Sequence, residues 1–190
     1  DGSSRLSENN RWASFWSVSG AWRLSKESFM EDMPLFTDFK IKASFGTNGN
    51  LPGSYYGYMD LFTGSGYGNP AIYWSSISND KLSWEKSKNF NVGFEWNMYD
   101  RVNLSIEYYN KKTTDLLFKV PTSFVTGFES RWENLGSLKN DGVELEVNSK
   151  NIMNRNFTWT TNFNMTYQRS LVDKLPENKK NTSHSAQRKH

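Results

Sequence analysis

Residues able to do covalent or metal chemistry are few here and poorly placed for it. The only histidines are His184 and His190, both in a polar C-terminal stretch, and cysteine is absent. That removes thiolate metal sites and cysteine nucleophiles. Glu85, Glu129 and Glu133 fall between the patterned segments, with no spacing that marks an acid–base pair. The run Gly64-Ser-Gly-Tyr-Gly-Asn lacks the Lys-Ser/Thr that completes a phosphate cradle, so it reads as a flexible loop. No enzyme activity, cofactor or metal is expected. What remains is non-covalent. Tyr55, Tyr56, Tyr58, Phe62, Tyr67, Tyr73 and Trp74 crowd residues 47–86. Rings with a polar tip suit the faces of sugars or peptides, and they suit loop–loop packing equally well. A second set is charged: Arg23, Lys40, Lys42, Glu95, Glu107, Glu144 and Glu146.

Those charges sit at alternate positions, which predicts strands to carry them. Phe90, Val92, Phe94, Trp96 and Met98 alternate with Asn89, Asn91, Gly93, Glu95 and Asn97. After Tyr99-Asp100-Arg101, Val102, Leu104, Ile106 and Tyr108 alternate with Asn103, Ser105, Glu107 and Tyr109. Successive strand side chains point to opposite faces, so this is a hairpin with one apolar and one polar face. Four further segments share the period. They centre on Val18 and Trp22, on Phe39 to Phe45, on Val143 to Val147, and on Phe157 to Tyr167. No charge stands on the apolar face of any of them. A cross-strand pair such as Lys40–Glu95 is expected on the polar face.

Two solvents satisfy this pattern. A soluble sandwich buries the apolar face in a core, whereas an outer-membrane barrel turns it to lipid. Lipid would exclude charge, since Lys or Arg at the midplane costs roughly 2–4 kcal/mol. A core would do much the same. Composition allows the barrel: aromatics reach 16% while mean hydropathy is −0.76, and strands with a polar interior face need no long apolar run. Net charge is +3 and scattered, which gives no footprint for nucleic acid.

Connections favour the barrel. Residues 99–101 make a short turn and residues 149–156 a modest one, while 47–86 and 112–141 are long. Short and long connections alternate as periplasmic turns and outer loops do, and a compact soluble domain rarely carries two such loops. Residues 25–37 are intermediate, with a short helical turn expected from Ser25-Lys-Glu-Ser. Gly46 and Gly49 read as turning the chain at a strand exit. Rings gather at two levels: Trp22, Phe39, Trp96, Tyr99, Phe157 and Trp159 near the short turns, and Phe15, Trp16, Phe45, Phe90, Tyr108 and Tyr167 toward the other end. Membrane interfaces select such belts. The expected fold class is therefore all-β, antiparallel up-and-down strands forming a partial segment of a large transmembrane β-barrel. It would occupy residues 1–175 with about six strands, and residues 176–190 would be an atypical polar tail.

Several segments also resemble a known family. These are Asp1-Gly-Ser-Ser-Arg, Asn10-Arg-Trp, Ser17-Val-Ser-Gly-Ala-Trp-Arg-Leu-Ser, Phe39-Lys-Ile-Lys-Ala-Ser-Phe-Gly-Thr-Asn-Gly-Asn, Leu82-Ser-Trp-Glu-Lys-Ser, Tyr108-Tyr-Asn-Lys-Lys-Thr-Thr-Asp-Leu-Leu and Asn134-Leu-Gly-Ser-Leu-Lys-Asn-Asp-Gly-Val-Glu-Leu-Glu. In order and spacing they are similar to SusC/RagA-type TonB-linked outer-membrane proteins. The resemblance implies a barrel of about 22 strands closed by a plug, of which this chain would be a C-terminal part without plug or TonB box. It implies the cell outer membrane as location and energised import of glycan or peptide fragments. Its implied partners are membrane lipid, a SusD-like lipoprotein lid, and TonB acting through the plug. The seven alternating charges would then face the lumen and plug, or form a solvated wall. The alternatives are a soluble β-sandwich carbohydrate-binding module and a small passive barrel or adhesin.

Overall fold

The computed structural model describes residues 1–30, 33, 35–53, 55–65, 71–128 and 130–174, with the side chains of Ser65, Ala71, Tyr73, Ser75 and Phe124 outside that description. Residues 176–190, read as a polar tail, lie outside the described residues, as does most of the glycine-rich run. Its first two members, Gly64 and Ser65, are strand rather than loop.

Among the described residues the chain forms ten strands: β1 (Ser17–Arg23), β2 (Asp38–Asn50), β3 (Leu61–Ser65), β4 (Ala71–Ser76), β5 (Glu85–Met98), β6 (Val102–Thr114), β7 (Leu117–Pro121), β8 (Ser130–Asn134), β9 (Ser137–Asn154) and β10 (Phe157–Lys174). Six of them make one sheet in the order β1-β2-β5-β6-β9-β10. Every neighbouring pair is antiparallel. This is the up-and-down meander that the alternation demands. The remaining four strands form two hairpins, β3-β4 and β7-β8, inside the two long connections.

Register turns the alternating residues into rows. Phe39, Trp96, Leu104, Val147 and Phe163 align across the sheet, as do Ile41, Phe94, Ile106, Leu145 and Met165. No charge enters either row. Nor does a second sheet cover this face among the described residues, for the other two sheets are small loop hairpins. Trp22 is 54% exposed, Phe163 50% and Tyr167 66%. A soluble sandwich would bury these side chains against a facing sheet about 10 Å away. An apolar face this broad, held open by a regular sheet, is the outer wall of a membrane barrel segment. The sheet does not close, and β1 and β10 are its edges.

The buried core lies elsewhere. Leu6, Leu82 and Trp84 are buried together, with Phe15, Leu51, Leu117 and Trp132 packed against them. All belong to the N-terminal segment or the long connections, so tertiary packing caps the loop end of the sheet. Phe15 meets the Trp84 ring edge-on at 5.5 Å, and Trp84 Nε1 donates to the Arg11 carbonyl at 3.2 Å.

Strands run further than alternation indicates. β2 continues to Asn50 and β5 begins at Glu85, so the first long connection is residues 51–84 rather than 47–86. Likewise β6 reaches Thr114 and β9 begins at Ser137, which trims the second from 112–141 to 115–136. Above the apolar rows both faces of β2, β5 and β6 are polar, so the ladder persists where the pattern has vanished. At the other end β9 extends to Asn154, paired with Phe157, and the modest connection shrinks to Arg155-Asn156. Gly46 and Gly49 do not turn the chain: both pair within β2, with Asn89 and Lys86. Gly49 is small for another reason, since a Cβ there would overlap the Phe15 ring and crowd Trp84.

The β5-β6 turn places Tyr99 and Asp100 at φ +51° and +52°, and the Arg101 amide donates to the Met98 carbonyl at 2.9 Å. Two left-handed central residues give the turn whose twist matches a hairpin. Between β1 and β2 the expected helical turn is present as two short 3-10 turns, Leu24–Lys26 and Ser28–Met30. Rings at this rim find polar partners there. Trp22 Nε1 donates to Glu27 at 2.8 Å and Trp96 Nε1 to the Leu35 carbonyl at 3.2 Å, as amphipathic rings do at a membrane interface.

Candidate functional site

On the polar face the same register builds a charged wall. Lys40 pairs with Glu95 in the β2-β5 ladder, Nζ to Oε2 2.5 Å. Lys42 reaches Glu95 at 3.3 Å and, across the gap left by Gly93, Glu107 at 2.8 Å. Arg23 meets Asp38 at 3.2 Å on the outermost strand pair. These side chains are partly solvated, so each contact contributes only about 0.2–1 kcal/mol. The wall is unevenly balanced. Glu107 stands opposite Glu144 in the β6-β9 register, and Lys42 answers only the first. Glu146 accepts from Asn148 at 2.8 Å, and among the described residues neither Glu144 nor Glu146 has an ion pair. One half of the wall is a Lys–Glu lattice and the other an acidic patch. Tyr109 lies over Gly142 nearby, where a Cβ would sit 2.7 Å from the phenol ring.

The loop rings divide into two groups. Tyr55 is held by Arg5, which donates to its hydroxyl at 2.7 Å and stacks over its ring at 4.1 Å. Tyr56 takes φ +60° in the following turn, and Tyr58 is half-buried. Trp74 belongs to β4 instead. Phe62 meets it edge-on at 5.8 Å, and Phe128 of the other long connection stacks on it at 6.4 Å. Tyr73 is its neighbour in β4, and Tyr67 lies outside the described residues. Trp74 is 58% exposed, so its ring presents free surface despite those contacts. Arg5 and Phe128 did not stand out in the sequence. They arrive from distant segments, and no local spacing ties them to Tyr55 or Trp74.

Hydrogen bonds hold the two long connections together below these rings. Asn134 donates to the Ser83 carbonyl at 2.8 Å and accepts from the Ser83 amide at 2.7 Å, while Asn79 donates to the Trp132 carbonyl at 2.7 Å. Glu85 accepts from the Leu117 amide at 3.4 Å, and Glu133 pairs with Arg131. Both carboxylates are thus engaged in structure.

A one-sided antiparallel meander with an open apolar face, a charged opposite face and interlocked loops at one end defines a segment of a transmembrane β-barrel. The chain belongs to the TonB-dependent receptor β-barrel family: the family model described as TonB dependent receptor-like, beta-barrel, matches residues 1–187. It is 39% identical over 184 residues to TonB-dependent receptor P3 of Formosa agariphila, covering 93% of this chain and 18% of that protein. It is 32% identical over 186 residues to TonB-dependent receptor SusC of Bacteroides thetaiotaomicron, covering 92% and 18%. Among solved structures, the RagAB peptide importer in its closed-closed state matches with TM-score 0.84 at 32% identity, covering 92% of this chain and 20% of that one. The chain thus spans about a fifth of the length of the relatives it matches.

Proposed function

We propose that this sheet is part of the wall of a TonB-dependent outer-membrane importer of glycan or peptide fragments. The observation that carries the reading is the open apolar face of a six-stranded meander, free of charge across its central rows and charged only toward the long connections, whose other face is a charged wall. In this reading the apolar rows meet lipid, the turns at 99–101 and 155–156 lie in the periplasm, and the long connections face outward. Arg23, Lys40, Lys42, Glu95, Glu107, Glu144 and Glu146 line the lumen. There the acidic half offers cationic groups of a plug an attraction that breaks when TonB pulls. Binding comes from the loop end, where Trp74, Tyr55, Tyr56, Tyr58, Tyr67 and Tyr73 supply stacking surface beneath a SusD-like lipoprotein lid. SusC and the RagAB peptide importer are both relatives, and either ligand class suits exposed rings. None of these roles requires covalent chemistry.

Uptake of labelled oligosaccharide and labelled peptide, measured in cells carrying the assembled receptor with and without TonB, tests the proposal. One of the two ligands should accumulate only when TonB is present. Equal uptake without TonB would mean a passive pore, and uptake of neither would remove import as the function.

A further inference from the structure

The apolar face ends, toward the long connections, in a row of lysines. β5, β6 and β9 bring Lys88, Lys112 and Lys139 into direct register, on the same face as Phe90, Tyr108 and Val143. Strands lie about 4.8 Å apart, so the three residues span about 10 Å. Like charges directly opposite one another on a sheet repel. Lys112 is offset by Asp173 at 2.7 Å. Among the described residues Lys88 and Lys139 have no ion pair, nor does Lys86, one row further out. Beside them a cleft of about 440 Å³ opens, lined by Lys86, Lys88, Asn9, Asn10, Trp12 and Trp16. The short-turn rim of the same face carries Trp22, Trp96 and Trp159 at that level instead. Lysines therefore join the rings at the loop end of this face, whereas its short-turn end carries rings alone.

We infer that this row binds the phosphate groups of a glycolipid in the outer leaflet. The inference rests on the orientation proposed above, which puts the long connections outside. Repulsion along the row is relieved by an anion seated across it, and the position at the top of the apolar rows is where a lipid headgroup lies. The Trp12 and Trp16 rings beside Lys88 give the sugar of such a headgroup a surface to stack on.

The test uses the assembled barrel holding this sheet, in vesicles of neutral phospholipid containing either phosphorylated lipid A or the same lipid stripped of phosphate. Bound glycolipid is counted by native mass spectrometry. The intact protein should retain the phosphorylated form and not the stripped one. Each lysine near an anionic lipid surface contributes about fivefold, so the K88Q/K112Q/K139Q triple variant should lose retention by about 100-fold. The triple arginine variant should keep it, Asp173→Asn should strengthen it by freeing Lys112, and Lys111→Gln on the opposite face should leave it unchanged. Equal retention of both lipids, or of phosphorylated lipid by the glutamine variant, overturns the inference. Ser123→Cys in the second long connection reports orientation through an impermeant maleimide on intact cells. Labelling there with unaltered retention sinks the lipid site alone, whereas protection from the reagent sinks both the site and the orientation beneath it.

Discussion

Tyr99 and Asp100 show how one pair of residues can fix a hairpin at local expense. Both hold positive φ without being glycine, which costs an L-residue roughly 1–2 kcal/mol. Asp100→Gly should therefore stabilise the assembled barrel by about 1 kcal/mol, read as a shift in its urea unfolding midpoint. Gly142 presents the opposite case. A Cβ there meets the Tyr109 ring and the Tyr167 carbonyl, the latter at 2.6 Å. The backbone of β10 cannot withdraw without disturbing its ladder, so Gly142→Val should destabilise by about 1–3 kcal/mol in the same titration. On the charged wall Glu95→Gln removes the shared acceptor of Lys40 and Lys42. Because those groups are partly solvated, the expected loss is only about 0.5–1 kcal/mol, and it should shrink at high salt.

Among whole elements, β5 and β6 separate the apolar face from the charged one most clearly. Phe94 and Ile106 pair at the centre of the apolar rows, and Glu95 and Ser105 pair one step along on the other face. Ile106→Lys should cost roughly 2–4 kcal/mol and reduce the heat-resistant folded band on a cold gel. Ser105→Lys, one residue away, should leave that band intact, because it enters a polar wall beside Glu95 and Glu146. Equal effects at both positions would mean that the two faces meet the same solvent. At the loop end, β4 sets Trp74 against Phe128 of the other connection. Trp74→Ala should weaken ligand binding by about 1–3 kcal/mol if the ring stacks on substrate. The barrel's unfolding midpoint should move much less than binding does.

The molecule as a whole is an open sheet. β1 and β10 each have one partner strand among the described residues, and an unpaired edge in lipid leaves backbone groups unsatisfied at several kcal/mol apiece. Expressed alone, the chain should aggregate or misfold. Adding the neighbouring strands of a closed barrel should restore detergent-soluble, heat-modifiable protein. A sharp two-state melt of a soluble monomer would contradict both that expectation and the membrane reading.

Alternation alone located the six strands of the main sheet and the faces of their residues, because pleating forces a period of two whatever the surroundings. It also set Lys40 and Glu95 on one polar face, while their direct pairing came from the register. It could not say what covers the apolar face, since lipid and a protein core exclude charge alike. The single sheet, with no second layer among the described residues, decided that together with the match to a β-barrel family. Strand ends escaped the sequence for a related reason: past the apolar rows both faces of β2, β5 and β6 are polar, and hydrogen bonding continues without a pattern to mark it. The lysine row was equally hidden. Lys88, Lys112 and Lys139 stand far apart in the chain, and register across three strands, a property of tertiary pairing alone, makes them neighbours.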